Sequence, residues 1–164
     1  MKDIVLEKIQ KNSDKYPVEK AKGTAAKYTE LWALESFEIS KHRFSSEVLE
    51  ELGNTYFADD YWPIVYLLSA GPKSKAYVGE TADVKSRLHA HLQHDLKKKL
   101  TEVRLITSHH FNKSATLDIE SNLIRYLSGD GQFELLNANI GVSHHNYYQK
   151  DEVYWKLFNR IWDK

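Results

Sequence analysis

The chain has 164 residues with 41% hydrophobic, 28% charged and 12% aromatic side chains, the composition of one globular domain rather than a disordered or membrane chain. Lys plus Arg and Asp plus Glu each total 23, so net charge announces no polyanionic partner. The absence of Cys excludes disulfide scaffolds, zinc–thiolate and iron–sulfur centres and thiol nucleophiles, and fits a reducing cytoplasm.

The first residues, Met1-Lys2-Asp3-Ile4-Val5-Leu6-Glu7-Lys8, place charges where a signal peptide needs its apolar centre, and no run approaches membrane-spanning length. A cytoplasmic protein with no membrane partner is expected. Ile4, Leu6 and Ile9, then Ala33 and Phe37, then Val48, Leu49 and Leu52 suggest short helices, the last capped by Ser45-Ser46 with Glu47 close behind. Residues 1–62 thus read as an N-terminal helical extension packed on a main domain, 63–164. The texture changes at Trp62-Pro63. Ile64 to Leu68 is a β-branched, apolar run, separated from Ala76-Tyr77-Val78-Gly79 by a Gly-Pro turn, and the two read as a hairpin.

Thr81 is a candidate cap for a helix from Ala82 to about Gln93, with Val84, Leu88 and Leu92 on its buried stripe and Arg87 and His91 on the adjacent face. Glu102 to Thr107 reads as a third strand and Ser114 to Leu127 as a second helix. The stripe Leu117, Glu120, Ile124, Leu127 puts one carboxylate where an aliphatic side chain is expected. Gly129-Asp130-Gly131 ends this helix, Phe133 to Leu136 is a candidate short strand, and Tyr154 to Trp162 reads as a terminal amphipathic helix. The fold class expected is a small α/β domain with a three-stranded, mainly antiparallel sheet flanked by helices.

Taken together, Ile64-Val65-Tyr66, Tyr77-Val78-Gly79, Arg87, His91 one helical turn later, Glu120 and Asn137 resemble the GIY-YIG endonuclease superfamily. Ile64 departs from the family's glycine and Val78 from its isoleucine; both changes suit a strand and neither touches the tyrosines, Arg87 or Glu120. Ala76-Tyr77-Val78-Gly79-Glu80-Thr81, Phe111 to Glu120 and His144-His145-Asn146-Tyr147-Tyr148 look most like the nuclease-like domain found N-terminal to a P-loop ATPase domain in large bacterial proteins. This chain carries no Gly-x-x-x-x-Gly-Lys-Ser/Thr loop, so an ATPase domain would be a partner outside it.

The resemblance implies a divalent-metal-dependent endonuclease acting on DNA, with Tyr66, Tyr77, Arg87, His91 and Glu120 as catalytic residues and Gly79 and Asn137 in support. The side chains suit that chemistry. Arg87 offers a permanently charged fork to phosphate oxygens. Glu120 suits a Mg²⁺ or Mn²⁺ ion that keeps most of its waters. One tyrosine helps activate water, with His91 the alternative base. Each residue also has a plain reading: strand tyrosines pack, Arg87 can pair with Asp83 at i−4, and Glu120 can sit on an exposed face. The alternative function is a non-cleaving nucleic-acid-binding or targeting module of a larger ATPase-containing protein.

Lys85 to Lys113 holds seven Lys/Arg (85, 87, 97, 98, 99, 104, 113) against Asp95 and Glu102, and five of the eight histidines. A DNA-binding face including Lys97, Lys98 and Lys99 is one reading, and an ordinary solvated surface the other. The pairs His109-His110 and His144-His145 suggest no zinc site, because adjacent histidines on a strand point to opposite faces.

Overall fold

A computed structural model describes residues 37–52, 61–71, 73–137, 150 and 154–164. The elements in chain order are β1 (Phe37–Arg43), α1 (Ser46–Leu52), β2 (Ile64–Ser69), β3 (Lys75–Thr81), α2 (Val84–Leu92), a 3₁₀ turn (Lys97–Lys99), β4 (Glu102–Ser108), α3 (Lys113–Asp130), β5 (Glu134–Leu135) and α4 (Trp155–Trp162). The α/β class holds, but the sheet has five strands, in the order β1-β4-β2-β3-β5. The β1/β4, β4/β2 and β2/β3 pairs are antiparallel and β3/β5 is parallel, so the sheet is mixed rather than three-stranded.

The largest difference from the sequence reading is β1. Phe37, taken as part of a helix, begins a strand that pairs along its full length with β4, from Phe37↔Ser108 to Arg43↔Glu102. Phe37 and Ile39 alternate with Glu38 and Ser40 and pack on one face of the sheet, a period of two that the helical reading of Ala33 and Phe37 overlooked. The described part of 1–62 therefore contributes an edge strand to the main sheet as well as α1. The helices expected around residues 4–9 and at Ala33 lie outside the described residues.

The apolar run of β2 is continuous because both faces of the sheet are covered. Ile64, Tyr66 and Leu68 join Leu49, Leu52, Val84, Leu88, Val103 and Leu105 in a core beneath α1 and α2. Val65 joins Val78, Ile106, Ile119, Leu123, Leu157 and Phe158 in a second core beneath α3 and α4. Among the described residues, no helix is long and apolar enough to cross a membrane.

Two helix ends differ from expectation. Asp83, not Thr81, caps α2: its Oδ1 accepts from Ser86 N at 3.0 Å. Thr81 is the last residue of β3, and its Oγ1 instead bonds the Asp83 main chain, accepting from N at 2.9 Å and donating to O at 3.0 Å. At its other end, α3 runs on to Asp130, where Gly131, with φ of 70°, supplies the left-handed C-cap. The buried apolar side of α3 is Ala115, Ile119, Leu123, Ile124 and Leu127: Ile124 and Leu127 are buried as the sequence suggested, whereas Leu117 and Glu120 are only half-buried and Ile119 takes the inward position beside Glu120. Glu120 consequently lies half-buried on its flank, at the margin of the sheet, instead of within the stripe. His109 and His110 lie in the turn after β4, not on a strand; His144 and His145 lie outside the described residues.

Candidate active site

β2 and β3 place Tyr66 opposite Gly79. The Tyr66 ring lies across that glycine: a Cβ at position 79 would stand 2.3 Å from the Tyr66 hydroxyl and 2.4 Å from the ring carbon bearing it. The missing side chain lets the hydroxyl cross β3 towards the sheet edge while the ring stays wholly inside the core. Gly79→Ala is therefore expected to destabilise the fold by about 1–3 kcal/mol through overpacking and to dislodge the Tyr66 hydroxyl. Urea unfolding measures the first effect, and exchange of the Tyr66 hydroxyl proton by NMR the second; an unchanged Tyr66 environment would contradict this role for Gly79.

The Tyr66 hydroxyl meets two groups from α2. His91 Nε2 is 2.7 Å away and Arg87 Nε donates at 3.3 Å. The hydroxyl oxygen accepts from Arg87 and shares one further hydrogen bond with His91 Nε2, whose direction follows the imidazole tautomer. The Arg87 guanidinium also lies close enough to Tyr77 for the two to interact electrostatically. The ring of Tyr77 stands edge-on to His91, at a centroid separation of 5.0 Å, and tilts against Tyr66 at 6.3 Å. Tyr66 and His91 are buried, Tyr77 is half-exposed and Arg87 is exposed, so the solvent face of the cluster is made by Tyr77 and Arg87. Arg87 does not pair with Asp83, whose carboxylate is used at the helix cap.

Burial, with help from Lys97, Arg87 and His94, pushes the His91 imidazole down to about 4. Burial also holds the Tyr66 hydroxyl well above the usual tyrosine range. Both side chains are neutral at pH 7. His91 stays unprotonated in the folded state between about pH 6.5 and 4, where the unfolded chain takes up a proton, so stability falls as pH drops through that window. The loss is on the order of 3 kcal/mol. Lys97, Arg87 and His94 are the cations that face it, and Tyr66 and Tyr77 its uncharged neighbours. Urea midpoints at several pH values should show a steeper acid slope for the parent than for His91→Gln; equal slopes would contradict the buried, neutral imidazole.

The other half of the cluster lies around the edge of β3. Asn137 docks there: its Oδ1 accepts from Val78 N at 3.0 Å and its Nδ2 donates to Val78 O at 2.8 Å. The side chain thereby continues the β3/β5 ladder, in which Leu136 N donates to Ala76 O at 2.8 Å. Two residues on, the Glu80 main chain lies beside the Glu120 carboxyl. Burial, and next the Glu80 carboxylate, push Glu120 up to about 7. Glu80 is itself held by the Lys113 ammonium, at 2.5 and 2.6 Å, with Thr116 Oγ1 3.3 Å from Oε2; its side chain is 11% exposed.

Among the described residues, no group of three or more His, Cys, Asp or Glu comes together as a metal cluster. A carboxylate that resists ionising because of burial and a like charge is nevertheless one that a divalent cation would stabilise. Glu120 fits a hard ion held by one carboxylate and otherwise by water.

Of the expected site residues, Tyr66, Tyr77, Gly79, Arg87, His91 and Lys97 come together on one side of β3, and Glu120 and Asn137 close its edge. Glu80 and Lys113 were missed. Their signal was the period of β3, which puts Glu80 on the same face as Val78 and hence towards α3.

The basic window is largely neutralised. Lys85 pairs with Glu50, Lys98 with Asp95, Arg104 with Glu102 and Lys113 with Glu80. Lys97 does not share the surroundings of Lys98 and Lys99, which are exposed: its Nζ sits 3.4 Å from the centroid of the Tyr77 ring. No family model, no curated protein and no solved structure matches the chain.

Proposed function

We propose that the protein is a GIY-YIG-type endonuclease that hydrolyses DNA phosphodiester bonds with Mg²⁺ or Mn²⁺ held at Glu120. The observation that carries this reading is the convergence of Tyr66, Tyr77 and Arg87 at one point, with His91 beneath it and Glu120 around the strand edge. A phosphodiester approaching from solvent meets the exposed Arg87 guanidinium and the Tyr77 hydroxyl. Arg87 binds its non-bridging oxygens and opposes the charge that develops there during hydrolysis. Tyr66 holds Arg87 from below. The half-exposed Tyr77 hydroxyl is placed to orient and help activate the attacking water, and His91, neutral and bonded to the Tyr66 hydroxyl, fixes the tyrosine that holds Arg87. The divalent ion, when bound, supplies Lewis-acid polarisation of the ester. Gly79 and Asn137 bear no reacting group and hold β3 in place.

The test is purified protein incubated with supercoiled plasmid, with and without Mg²⁺ or Mn²⁺. Metal-dependent nicking or linearisation is expected, and intact plasmid under every condition would overturn the reading. The second reading, a DNA-binding module that does not cut and serves an ATPase-containing partner, draws on the full burial of Tyr66, which withdraws one tyrosine from direct contact with substrate. Retardation of intact plasmid on a gel would favour it.

A further inference from the structure

Lys97 and Arg87 come from different elements, a 3₁₀ turn and α2, and lie close enough for the Arg87 guanidinium to disfavour the charge on Lys97. Among the described residues, neither has a carboxylate within 4 Å, whereas Lys85, Lys98, Arg104 and Lys113 in the same stretch of chain each do. Lys97 is half-buried, its ammonium against the face of Tyr77, the half-exposed tyrosine whose ring tilts against Tyr66, to which Arg87 donates. The ring face partly offsets the charge. Two cations held together beside a buried imidazole, with no carboxylate of the described residues paired to either, have the character of an anion site.

We infer that Lys97 and Arg87 together grip one phosphate group of the substrate over the Tyr77 ring, and that Lys98 and Lys99 lie outside this grip. The inference rests on the phosphodiester reading of the site and adds to it a second phosphate-binding residue. It also divides the lysine run. Lys98 is tied to Asp95 on the exposed side of the turn, at 2.8 Å, and Lys99 is exposed. A lysine run on a uniform basic face would act through its summed charge, whereas here one member has a fixed position and a defined partner.

Burial, and then Arg87, push the Lys97 ammonium down to about 8, which raises the share of free, reactive amine at that lysine near neutral pH. The experiment is reductive methylation of the full chain read lysine by lysine by mass spectrometry. It is run without divalent metal, alone and with a short DNA duplex or inorganic phosphate, on the parent and on Arg87→Ala. Lys97 is expected to methylate fastest and to be protected by the duplex about tenfold or more, as an amine whose lone pair is withdrawn by protonation against phosphate. Lys98 and Lys99 should change by less than about twofold, and Arg87→Ala, compared at a duplex concentration that saturates both proteins, should lower the Lys97 protection because the phosphate loses its second holder there. Weaker protection by inorganic phosphate at the same lysine supports the same site.

Equal protection of all three lysines, or none at Lys97, would overturn the proposal. The plasmid assay separates this from the reaction. Protection at Lys97 in a protein that fails to cleave leaves the anion site standing and removes the nuclease. Cleavage with Lys97 unprotected does the reverse.

Discussion

Glu120→Gln should abolish metal-dependent cleavage and leave the fold intact. The substitution removes a charge and almost no volume. Glu120 sits on the flank of the α3 stripe, so no core residue is disturbed. In the parent this carboxylate ionises against burial and against Glu80, a cost that glutamine does not carry. The variant should therefore unfold at the same temperature as the parent or slightly higher at pH 8, where the parent's Glu120 is charged. Cleavage, by contrast, loses the protein's carboxylate ligand and with it the metal, a loss of at least about 10²-fold. The two readouts are single-turnover cleavage of plasmid with Mn²⁺ and Mn²⁺ binding followed by electron paramagnetic resonance. A variant that cleaves normally would remove Glu120 from the metal site. A variant that binds Mn²⁺ as well as the parent but does not cleave would move the ion elsewhere, Glu80 being the nearest other carboxylate.

Arg87→Ala should depress cleavage far more than it depresses DNA affinity. The Arg87 side chain is exposed at the site, so its truncation opens no cavity, and Tyr66 keeps its hydrogen bond to His91. Removed instead is the guanidinium that donates to the Tyr66 hydroxyl, lies beside Tyr77 and, on the proposed reading, faces the phosphoryl oxygens. A contact that strengthens as charge builds on the phosphate appears in the rate at saturating DNA, expected to fall about 10²- to 10³-fold, and only weakly in the dissociation constant. Arg87→Lys should recover little, because an ammonium cannot reproduce the fork that reaches Tyr66, Tyr77 and an oxygen pair at once. Single-turnover rates beside equilibrium binding of the same duplex decide it. Equal losses in both would reduce Arg87 to simple attraction for the DNA backbone.

The sequence was most legible where local chemistry dictates local structure. The β2/β3 hairpin, the strand from Glu102, the two helices that follow the hairpin and the terminal helix all fall where periodicity and the Gly, Pro and Asn signals put them. Tyr66, Tyr77, Arg87 and His91 were legible as a group, because a strand register and a helical spacing of four together set which side chains share a face. Asn137 was expected to brace the site, and its amide pairs with the Val78 main chain, imitating a strand on the edge of β3.

What escaped the sequence was decided by neighbours distant along the chain. Phe37–Arg43 becomes a strand only because β4 offers it an open edge, a partner some sixty-five residues away that no local window contains. Glu120 moves from the buried stripe to its flank because the sheet and α4 together choose which face of α3 is covered. Lys97, Lys98 and Lys99 are identical letters in a row, yet one lies against Tyr77, one pairs with Asp95 and one is exposed, since a 3₁₀ turn points successive side chains in different directions. The carboxylate pair Glu80 and Glu120, and the two cations opposed at Arg87 and Lys97, exist only in three dimensions. Electrostatic coupling depends on distance in space and on burial, and sequence separation records neither.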